Sequence, residues 1–165
     1  MTIRVNLGCG RDVRDGWLNV DQYAPPGSGI IQADVEDGLP FEDGSVDFVL
    51  ASHVLEHVLR FDRTIAEIYR VLRSGGTLEV QVPYGWYGLE NPYHRRIFNR
   101  RAVRQILAAS NPDGVKSLEI NEHWNLMSYR VRRRVVPWLH KPRVGRWDFL
   151  PFIYSRELTF VLEKA

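Results

Sequence analysis

Short apolar runs, separated by turn-forming residues, fill the first half of the chain. Runs that are almost continuously apolar are typical of parallel strands, because such strands are covered on both faces of the sheet. Residues 77–83 alternate instead between apolar and polar side chains, which is the period of a strand with two different faces. Strands are therefore predicted over residues 3–7, 17–21, 30–34, 46–51 and 77–83.

Helical spacing of apolar residues begins further along the chain. It predicts a helix from Phe61 to Leu72, with Asp62 as the N-cap and Gly75-Gly76 as the stop signal. A second helix is predicted from about Arg100 to Ala109, capped by Asn99, and late strands over residues 115–120 and 157–162. Strands that alternate with helices predict an α/β fold.

The connections between the first strands are short. Only nine residues, Gly8 to Gly16, separate the first two predicted strands, whereas a parallel crossover normally takes about a dozen residues or more. The next connection, residues 22–29, contains Pro25 and Pro26, which disfavour a full helix. Reduced helices are therefore expected in the first half.

Composition is that of an ordinary globular domain. The chain has 165 residues, of which 44% are hydrophobic and 25% charged. No apolar run approaches the roughly 18–20 residues that cross a bilayer. Arg4 interrupts the first apolar stretch, so no signal peptide is predicted, and Cys9 is the only cysteine, which excludes an internal disulfide. A cytoplasmic protein with a single domain, residues 1–165, is the expectation.

Charge is distributed unevenly around a net value of +2. Residues 1–57 carry three arginines against ten acids, and the rest of the chain carries nineteen cations against ten acids. Several of those cations stand in an insertion, about residues 124–154, where the Arg130–Arg134 region neighbours Tyr129 and Trp138. This basic insertion fits an arginine-rich lid packed over the core, contact with an anionic membrane surface, or contact with nucleic acid.

A glycine turn followed by an acid is the first feature that suggests a ligand. Residues 5–10 run from apolar side chains into Gly8-Cys9-Gly10, and the second predicted strand ends at Asp21. Such glycines let the backbone approach a nucleotide-type cofactor, and an acid at this place accepts hydrogen bonds from ribose hydroxyls. Many tight turns also carry Gly-x-Gly, so later segments decide the interpretation.

Further segments follow in a fixed order. The whole series consists of residues 5–10, Asp21, and residues 33–35, 39–49, 53–58 and 67–78. In this order the segments resemble the class I S-adenosylmethionine-dependent methyltransferases. The resemblance covers roughly residues 3–84 and is greatest to the small, broad, type-11-like group whose members have uncertain substrates. It implies S-adenosylmethionine as cofactor and a Rossmann-like, mostly parallel sheet with an antiparallel C-terminal edge strand. The cofactor half would be residues 1–84 and the substrate half residues 85–165.

The resemblance also implies roles for individual residues. Gly8 and Gly10 would admit the methionine part of the cofactor, Asp21 would bind the ribose diol, and Asp34 would accept from the adenine amino group. The predicted cofactor-binding set is Leu7, Gly8, Cys9, Gly10, Asp21, Asp34, Val35, Ser52 and His53. Two members have simpler interpretations, Cys9 as a small apolar filler and Asp34 as a residue that starts a turn.

Catalytic and substrate-binding candidates follow the fourth and fifth predicted strands. His94 is the first candidate for a base or a substrate orienter and His57 the second, with local packing as the alternative for each. Tyr84, Trp86 and Tyr93 stand in an aromatic, glycine-containing segment that suits a substrate loop. The sequence predicts no metal site.

The predicted function is methyl transfer from S-adenosylmethionine to an oxygen of a small molecule or of a glycan or lipid precursor. Ala51-Ser52-His53-Val54 stands where many nucleic-acid and protein amide methylases carry an Asn-Pro-Pro-Tyr type of signature, which argues against an exocyclic amine. The alternatives are a non-catalytic cofactor-binding or scaffold protein, suggested by the short first crossover, and a nucleic-acid methyltransferase acting through the basic insertion. A peripheral position at the membrane through that insertion is the alternative to a purely cytoplasmic location.

Overall fold

A computed structural model describes residues 2–84, 91–110, 115–124 and 156–165. Its strands are β1 (Arg4–Leu7), β2 (Leu18–Asp21), β3 (Ile31–Gln32), β4 (Val46–Ser52), β5 (Leu72–Pro83), β6 (Val115–Trp124) and β7 (Arg156–Lys164). The helices are α1 (Phe61–Val71) and α2 (Arg100–Ser110). None of the described helices combines the length and the apolar character that crossing a membrane requires.

The described strands form one sheet, in the order β3-β2-β1-β4-β5-β7-β6. Strands β1 to β5 pair with one another in parallel, and β7 runs antiparallel to both β5 and β6. The mostly parallel sheet with an antiparallel C-terminal strand is thus confirmed, although β6 and not β7 forms the outer edge. This order places the carboxyl ends of β1, β2 and β4 side by side.

The core lies on the central strands, as their apolar runs predict. Val5 of β1, Val49 of β4 and Val80 of β5 are fully buried. Helix α1 covers them with an apolar stripe that includes Ile65 and Ile68, both fully buried. Between residues 2 and 60, all of which are described, turns replace helices. The prediction of reduced helices in this half is therefore confirmed, and β3 is shorter than the run 30–34 suggested.

The start of α1 differs from the prediction. Asp62 lies inside the first turn, and the N-cap is Arg60, whose side chain makes no capping hydrogen bond. Glu36 supplies the cap from a distant turn, because its carboxylate accepts from the amides of Leu59 and Arg60 at 3.0 and 2.8 Å. Burial alone would raise the pKa of Glu36, but these bonds and the Arg60 guanidinium lower it. The predicted cap at Asn99 of α2 is confirmed, since its Oδ1 accepts from Ala102 N at 2.8 Å.

The end of α1 also differs from the prediction. The helix ends at Val71, and Leu72 already has extended backbone angles, φ −67° and ψ 133°. Leu72 pairs with Val46, and the pairing resumes at Thr77 with Phe48 after an irregularity. Gly75 and Gly76 lie in that irregular stretch of β5 and do not stop the helix.

A partly buried ion pair joins α1 to the turn before β4. Glu67 accepts from Arg70 Nε at 2.9 Å, from Arg70 Nη2 at 2.7 Å and from Leu39 N at 2.6 Å. Arg70 in turn donates to the carbonyls of Leu39 and Phe41. The hydrogen bonds from Arg70 lower the pKa of Glu67 below its ordinary value of 4.5, although burial opposes them. The ionised pair therefore stabilises the fold above that pH.

Replacing Glu67 by Gln is expected to lower the free energy of unfolding by about 1–3 kcal/mol at neutral pH, because charged hydrogen bonds are lost. Since the folded pKa of Glu67 is depressed, its contribution is present above the unfolded pKa and is lost as pH falls through the folded value. The difference between wild type and variant should thus shrink in acid. Urea denaturation at pH 7 and below pH 4 measures it. Glu42→Gln, on an exposed residue of the neighbouring turn, is the control; an equal loss in that variant would contradict the prediction.

Candidate functional site

A cavity of about 560 Å³ opens where the carboxyl ends of β1, β2 and β4 meet the turn after β3. Ligands bind at this edge of open α/β sheets, and this volume is in the range of cofactor pockets. Its wall carries most of the predicted cofactor residues together with polar side chains from the segment after β4. The lining residues are Leu7, Gly8, Gly10, Arg11, Asp21, Gln22, Tyr23, Pro25, Ala33, Asp34, Val35, Glu36, His53, Val54, His57 and Val58.

The glycine turn after β1 forms one side of the cavity. Gly8 and Gly10 have φ angles of 63° and 49°, a region that side chains disfavour. A Cβ on Gly8 would lie 2.4 Å from Val54 Cγ2, whereas a Cβ on Gly10 would meet nothing within 4 Å. Gly8 is therefore required for packing against the wall, and the space beside Gly10 is open to a ligand.

Asp21 holds this turn from the end of β2. Its carboxylate accepts from Gly10 N at 2.8 Å through Oδ2 and from Tyr23 N at 2.8 Å through Oδ1. A carboxylate has about four acceptor positions, so two remain for hydroxyl donors in the cavity. The residue predicted to bind the ribose thus also shapes the loop around it.

Asp34 starts a turn and also lies in the cavity wall. Its Oδ1 accepts from Glu36 N at 2.8 Å, which is the Asx turn of the simpler interpretation. Asp34 also lines the cavity, so its remaining acceptor positions are available to donors in the cavity. The neighbouring Val35 is buried and supplies an apolar part of the wall.

Two members of the predicted cofactor set lie outside the cavity wall. Cys9 is buried, and its amide donates to Val20 O at 3.0 Å. Burial first, and then the charge of Asp21, raise the pKa of the Cys9 thiol, so the filler interpretation describes its position. Ser52 donates to Gln81 Oε1 on the neighbouring strand β5 at 2.9 Å.

Four polar side chains adjoin the cavity beyond β4: His53, Glu56, His57 and His94, hereafter the histidine cluster. His53 has a positive φ of 55° and its Nδ1 lies 3.1 Å from Glu56 Oε1. The hydrogen bond with Glu56 raises the pKa of His53, with burial acting in the opposite direction. The Glu56 side chain is only 1% exposed. Its second oxygen, Oε2, has no hydrogen-bond partner among the described residues.

The segment 91–98 completes the cluster by docking on the chain after β4. Arg95 N donates to Glu56 O at 2.7 Å, and Arg96 donates to the carbonyls of Val58 and Leu59. This brings the His94 ring to 4.8 Å from the His57 ring, centroid to centroid, in an edge-to-face arrangement. The two predicted catalytic histidines are therefore in contact, with His57 in the cavity wall and His94 behind it.

Comparison with known proteins shows what the chain is similar to. Residues 7–80 match the family model described as "Methyltransferase domain". Through this segment, the chain is similar to the class I S-adenosylmethionine-dependent methyltransferases. The cofactor of this methyltransferase family is S-adenosylmethionine, and the cavity fits it. Two glycines permit close approach of the backbone, while Asp21 and Asp34 offer acceptors for the hydroxyl and amino donors of the nucleoside.

Two curated relatives match parts of the chain. The malonyl-[acyl-carrier protein] O-methyltransferase of Methylococcus capsulatus is 32% identical over 111 residues, which are 59% of this chain and 40% of the relative. The phthiotriol/phenolphthiotriol dimycocerosates methyltransferase 1 of Mycobacterium ulcerans is 50% identical over 56 residues, 32% of this chain and 19% of the relative. The matched segments thus span less than half of the length of either relative.

Solved structures show the same fold. A methyltransferase from Archaeoglobus fulgidus that depends on S-adenosylmethionine has a TM-score of 0.66 and 18% identity, covering 99% of this chain and 86% of that one. The phosphoethanolamine N-methyltransferase 2 of Haemonchus contortus, in complex with S-adenosylmethionine, has a TM-score of 0.61 and 16% identity, covering 99% and 49%. At these identities the likeness concerns the fold.

Only some of the predicted substrate residues lie in the part of the chain that the structure describes. Tyr84 is half-buried and pairs by a parallel bridge with Phe98. Tyr93 is 73% exposed, and its carbonyl lies 3.3 Å from His57 Nδ1. Trp86 and the basic insertion beyond Trp124, with its Arg130–Arg134 region, lie outside the described residues. Their predicted roles stay predictions.

Glu56 is the residue that sequence reasoning missed. Glutamates are almost never fully buried unless they are paired, and this one is buried. The His53-x-x-Glu56 spacing, which puts the two side chains on one side of a turn, is the signal that could have indicated it.

Proposed function

We infer that the protein transfers the methyl group of S-adenosylmethionine to an oxygen of a small molecule or of a glycan or lipid precursor. The observation that carries the proposal is the contact between the cofactor cavity and the histidine cluster, since His57 belongs to both. An acceptor beside His57 would lie at the cavity where the methyl group is presented. The names of the two curated relatives, a malonyl-[acyl-carrier protein] O-methyltransferase and a phthiotriol/phenolphthiotriol dimycocerosates methyltransferase, support this substrate class.

When bound, S-adenosylmethionine supplies a methyl group activated by a sulfonium sulfur. The protein's main tasks are then to hold two reactants in line and to exclude water. Gly8 and Gly10 permit the backbone to approach the cofactor, and Asp21 and Asp34 hold its nucleoside. Glu36 and Val58 close the wall near the first turn of α1.

An acceptor hydroxyl must also lose its proton as the new carbon–oxygen bond forms. The carbonyl of Tyr93 only accepts hydrogen bonds, so its 3.3 Å approach assigns the proton of His57 to Nδ1. The lone pair is then on Nε2, which is able to take the acceptor's proton. His94 contacts the His57 ring and orients it. The proposed reaction requires no catalytic side chain beyond these two histidines.

Replacing Asp21 by Ala is expected to weaken binding of S-adenosylmethionine by about 1–3 kcal/mol, because hydrogen bonds to a charged acceptor are lost. Isothermal titration calorimetry with S-adenosylmethionine, its demethylated product and NAD measures this. The wild type should bind the first two and not NAD.

The matched control is Asp12→Ala, which removes an exposed acid of the same loop that pairs with Arg14 and does not line the cavity. It should bind like wild type. Unchanged affinity in Asp21→Ala would place the ribose site elsewhere, and NAD binding without binding of S-adenosylmethionine would refute the proposed function.

A further inference from the structure

We propose that Glu56, His57 and His94 form a binding site for one divalent transition-metal ion. One potential ligand atom from each of these residues lies within 4.8 Å of the other two. Glu56 and His57 follow β4, and His94 is brought to them by the docked segment 91–98. Nothing in the spacing of the three residues along the sequence predicts this grouping.

Glu56 provides the strongest indication of a missing partner. Its side chain is 1% exposed, and Oε1 is engaged by His53 Nδ1 at 3.1 Å. Oε2 is buried and has no hydrogen-bond partner among the described residues. A buried carboxylate oxygen without a partner is unfavourable by several kcal/mol in an apolar surrounding, so native proteins rarely leave one. A cation beside Oε2 would satisfy it.

His57 is arranged as metal-binding histidines commonly are. Its Nδ1 is directed to the Tyr93 carbonyl, which leaves Nε2 as the ligand atom. A histidine that binds a metal usually donates its other ring N–H to a carbonyl or carboxylate in this way, and the bond fixes both tautomer and ring orientation. The His53–Glu56 bond orients the carboxylate ligand in the same manner.

The turn that carries His94 is fastened to the other ligands. Asn91 Oδ1 accepts from Tyr93 N at 3.0 Å, and Asn91 O accepts from His94 N at 3.1 Å. Arg95 N donates to the backbone oxygen of Glu56 itself at 2.7 Å. The third ligand is therefore positioned relative to the first by the backbone and not by a free loop.

The donor set selects the class of ion. Two imidazoles and one carboxylate suit Zn²⁺, Co²⁺ or Fe²⁺, whereas Mg²⁺ and Ca²⁺ prefer oxygen ligands. Ligand atoms on a tetrahedral zinc ion are about 3.4 Å apart, given bonds of about 2.1 Å. The spacing in the cluster therefore has to shrink by up to about 1.4 Å on binding.

Three protein ligands leave at least one coordination position for another group, as in catalytic metal sites. Since His57 lines the cavity, that position would be adjacent to the acceptor. In this role, which rests on the proposed function, the ion would bind the acceptor oxygen and lower the pKa of its hydroxyl. His57 would then act by holding the ion.

Metal binding can be measured without an acceptor. Protein freed of metal with a chelator is titrated with Co²⁺, followed by visible absorption, and with Zn²⁺, followed by calorimetry. We expect one equivalent to bind, and a loss of affinity of at least about tenfold in Glu56→Gln, His57→Ala and His94→Ala. The matched control is His123→Ala, because His123 lies on β6, three strands from β4, and should leave binding unchanged.

The histidine variants keep the test valid even where Glu56→Gln fails to fold. No binding by the wild type, or the same affinity in His57→Ala and His94→Ala as in His123→Ala, would overturn the metal site. Binding of S-adenosylmethionine by the same samples separates this outcome from a failure of the proposed function. A protein that binds the cofactor but not Co²⁺ or Zn²⁺ would refute the metal site alone.

Discussion

Replacing Gly8 by Ala is expected to reduce the affinity for S-adenosylmethionine by about a hundredfold or more, equivalent to about 2.7 kcal/mol. A side chain at φ 63° costs about 1–2 kcal/mol in backbone energy. The new methyl group would also lie 2.4 Å from Val54 Cγ2, and valine is too stiff at χ1 to turn away freely. Since Val54 and Gly8 both line the cavity, relief of the clash must distort the cofactor site itself.

Variants at two other glycines distinguish the effect of backbone strain from the effect of a changed cavity wall on cofactor affinity. Gly16 has a φ of 75° and open space around its Cβ position, but it is not part of the cavity wall. Gly16→Ala should therefore lower stability through backbone strain while cofactor affinity stays near wild type. Gly10 has the same open surroundings but lines the cavity, so Gly10→Ala should keep the fold and lose affinity.

Calorimetric titration with S-adenosylmethionine and thermal denaturation of the three variants make the comparison. Equal cofactor affinity in Gly8→Ala, Gly16→Ala and wild type would show that the glycine turn does not contact the cofactor.

The sheet and the cofactor cavity were predictable because their signals are local. Strand β4 is a nearly continuous apolar run, whereas β1 and β2 are short strands with buried apolar residues, and each of the three ends at or just before a polar residue or a glycine. In a parallel sheet those ends meet at one edge. Asp21 and the glycine turn therefore could be placed together from spacing alone, and the structure shows them bonded through Gly10 N at 2.8 Å.

The errors in the elements have a common physical cause. Capping residues were sought next to the helix, but Glu36 caps α1 from 24 positions away in the sequence. The sequence predicts a helix to Leu72 with Gly75-Gly76 as its stop signal, but pairing of Leu72 with Val46 makes the chain extended before the glycines are reached. In both cases a tertiary contact overrides a local preference, and neither contact has a signature in the neighbouring residues.

The histidine cluster could be predicted only in part, for the same reason. His57 and His94 were recognised as chemically capable side chains, but their contact depends on the docking of segment 91–98. That docking uses main-chain carbonyls of Glu56, Val58 and Leu59 as acceptors. Every residue type has such a carbonyl, so sequence alone does not reveal which ones are used.

His94→Ala is expected to lower turnover by about a hundredfold or more, while affinity for S-adenosylmethionine stays near wild type. His94 contacts His57 but is not in the cavity wall, so its loss should disturb the reacting groups and not the cofactor. Turnover is measured as release of the demethylated cofactor, with the best acceptor from a panel of small hydroxylated compounds and lipid precursors. His123→Ala, on β6, serves as the control and should retain turnover.

The two roles offered for His94 give different responses to added metal. If His94 is a metal ligand, its loss weakens metal binding but does not abolish it. Excess Zn²⁺ or Co²⁺ should then restore part of the turnover of His94→Ala. As an orienter of a metal-free His57, its loss should leave turnover low at every metal concentration. Full turnover in His94→Ala, with unchanged melting temperature, would remove His94 from the reaction, and loss of folding would assign it to the docking of segment 91–98.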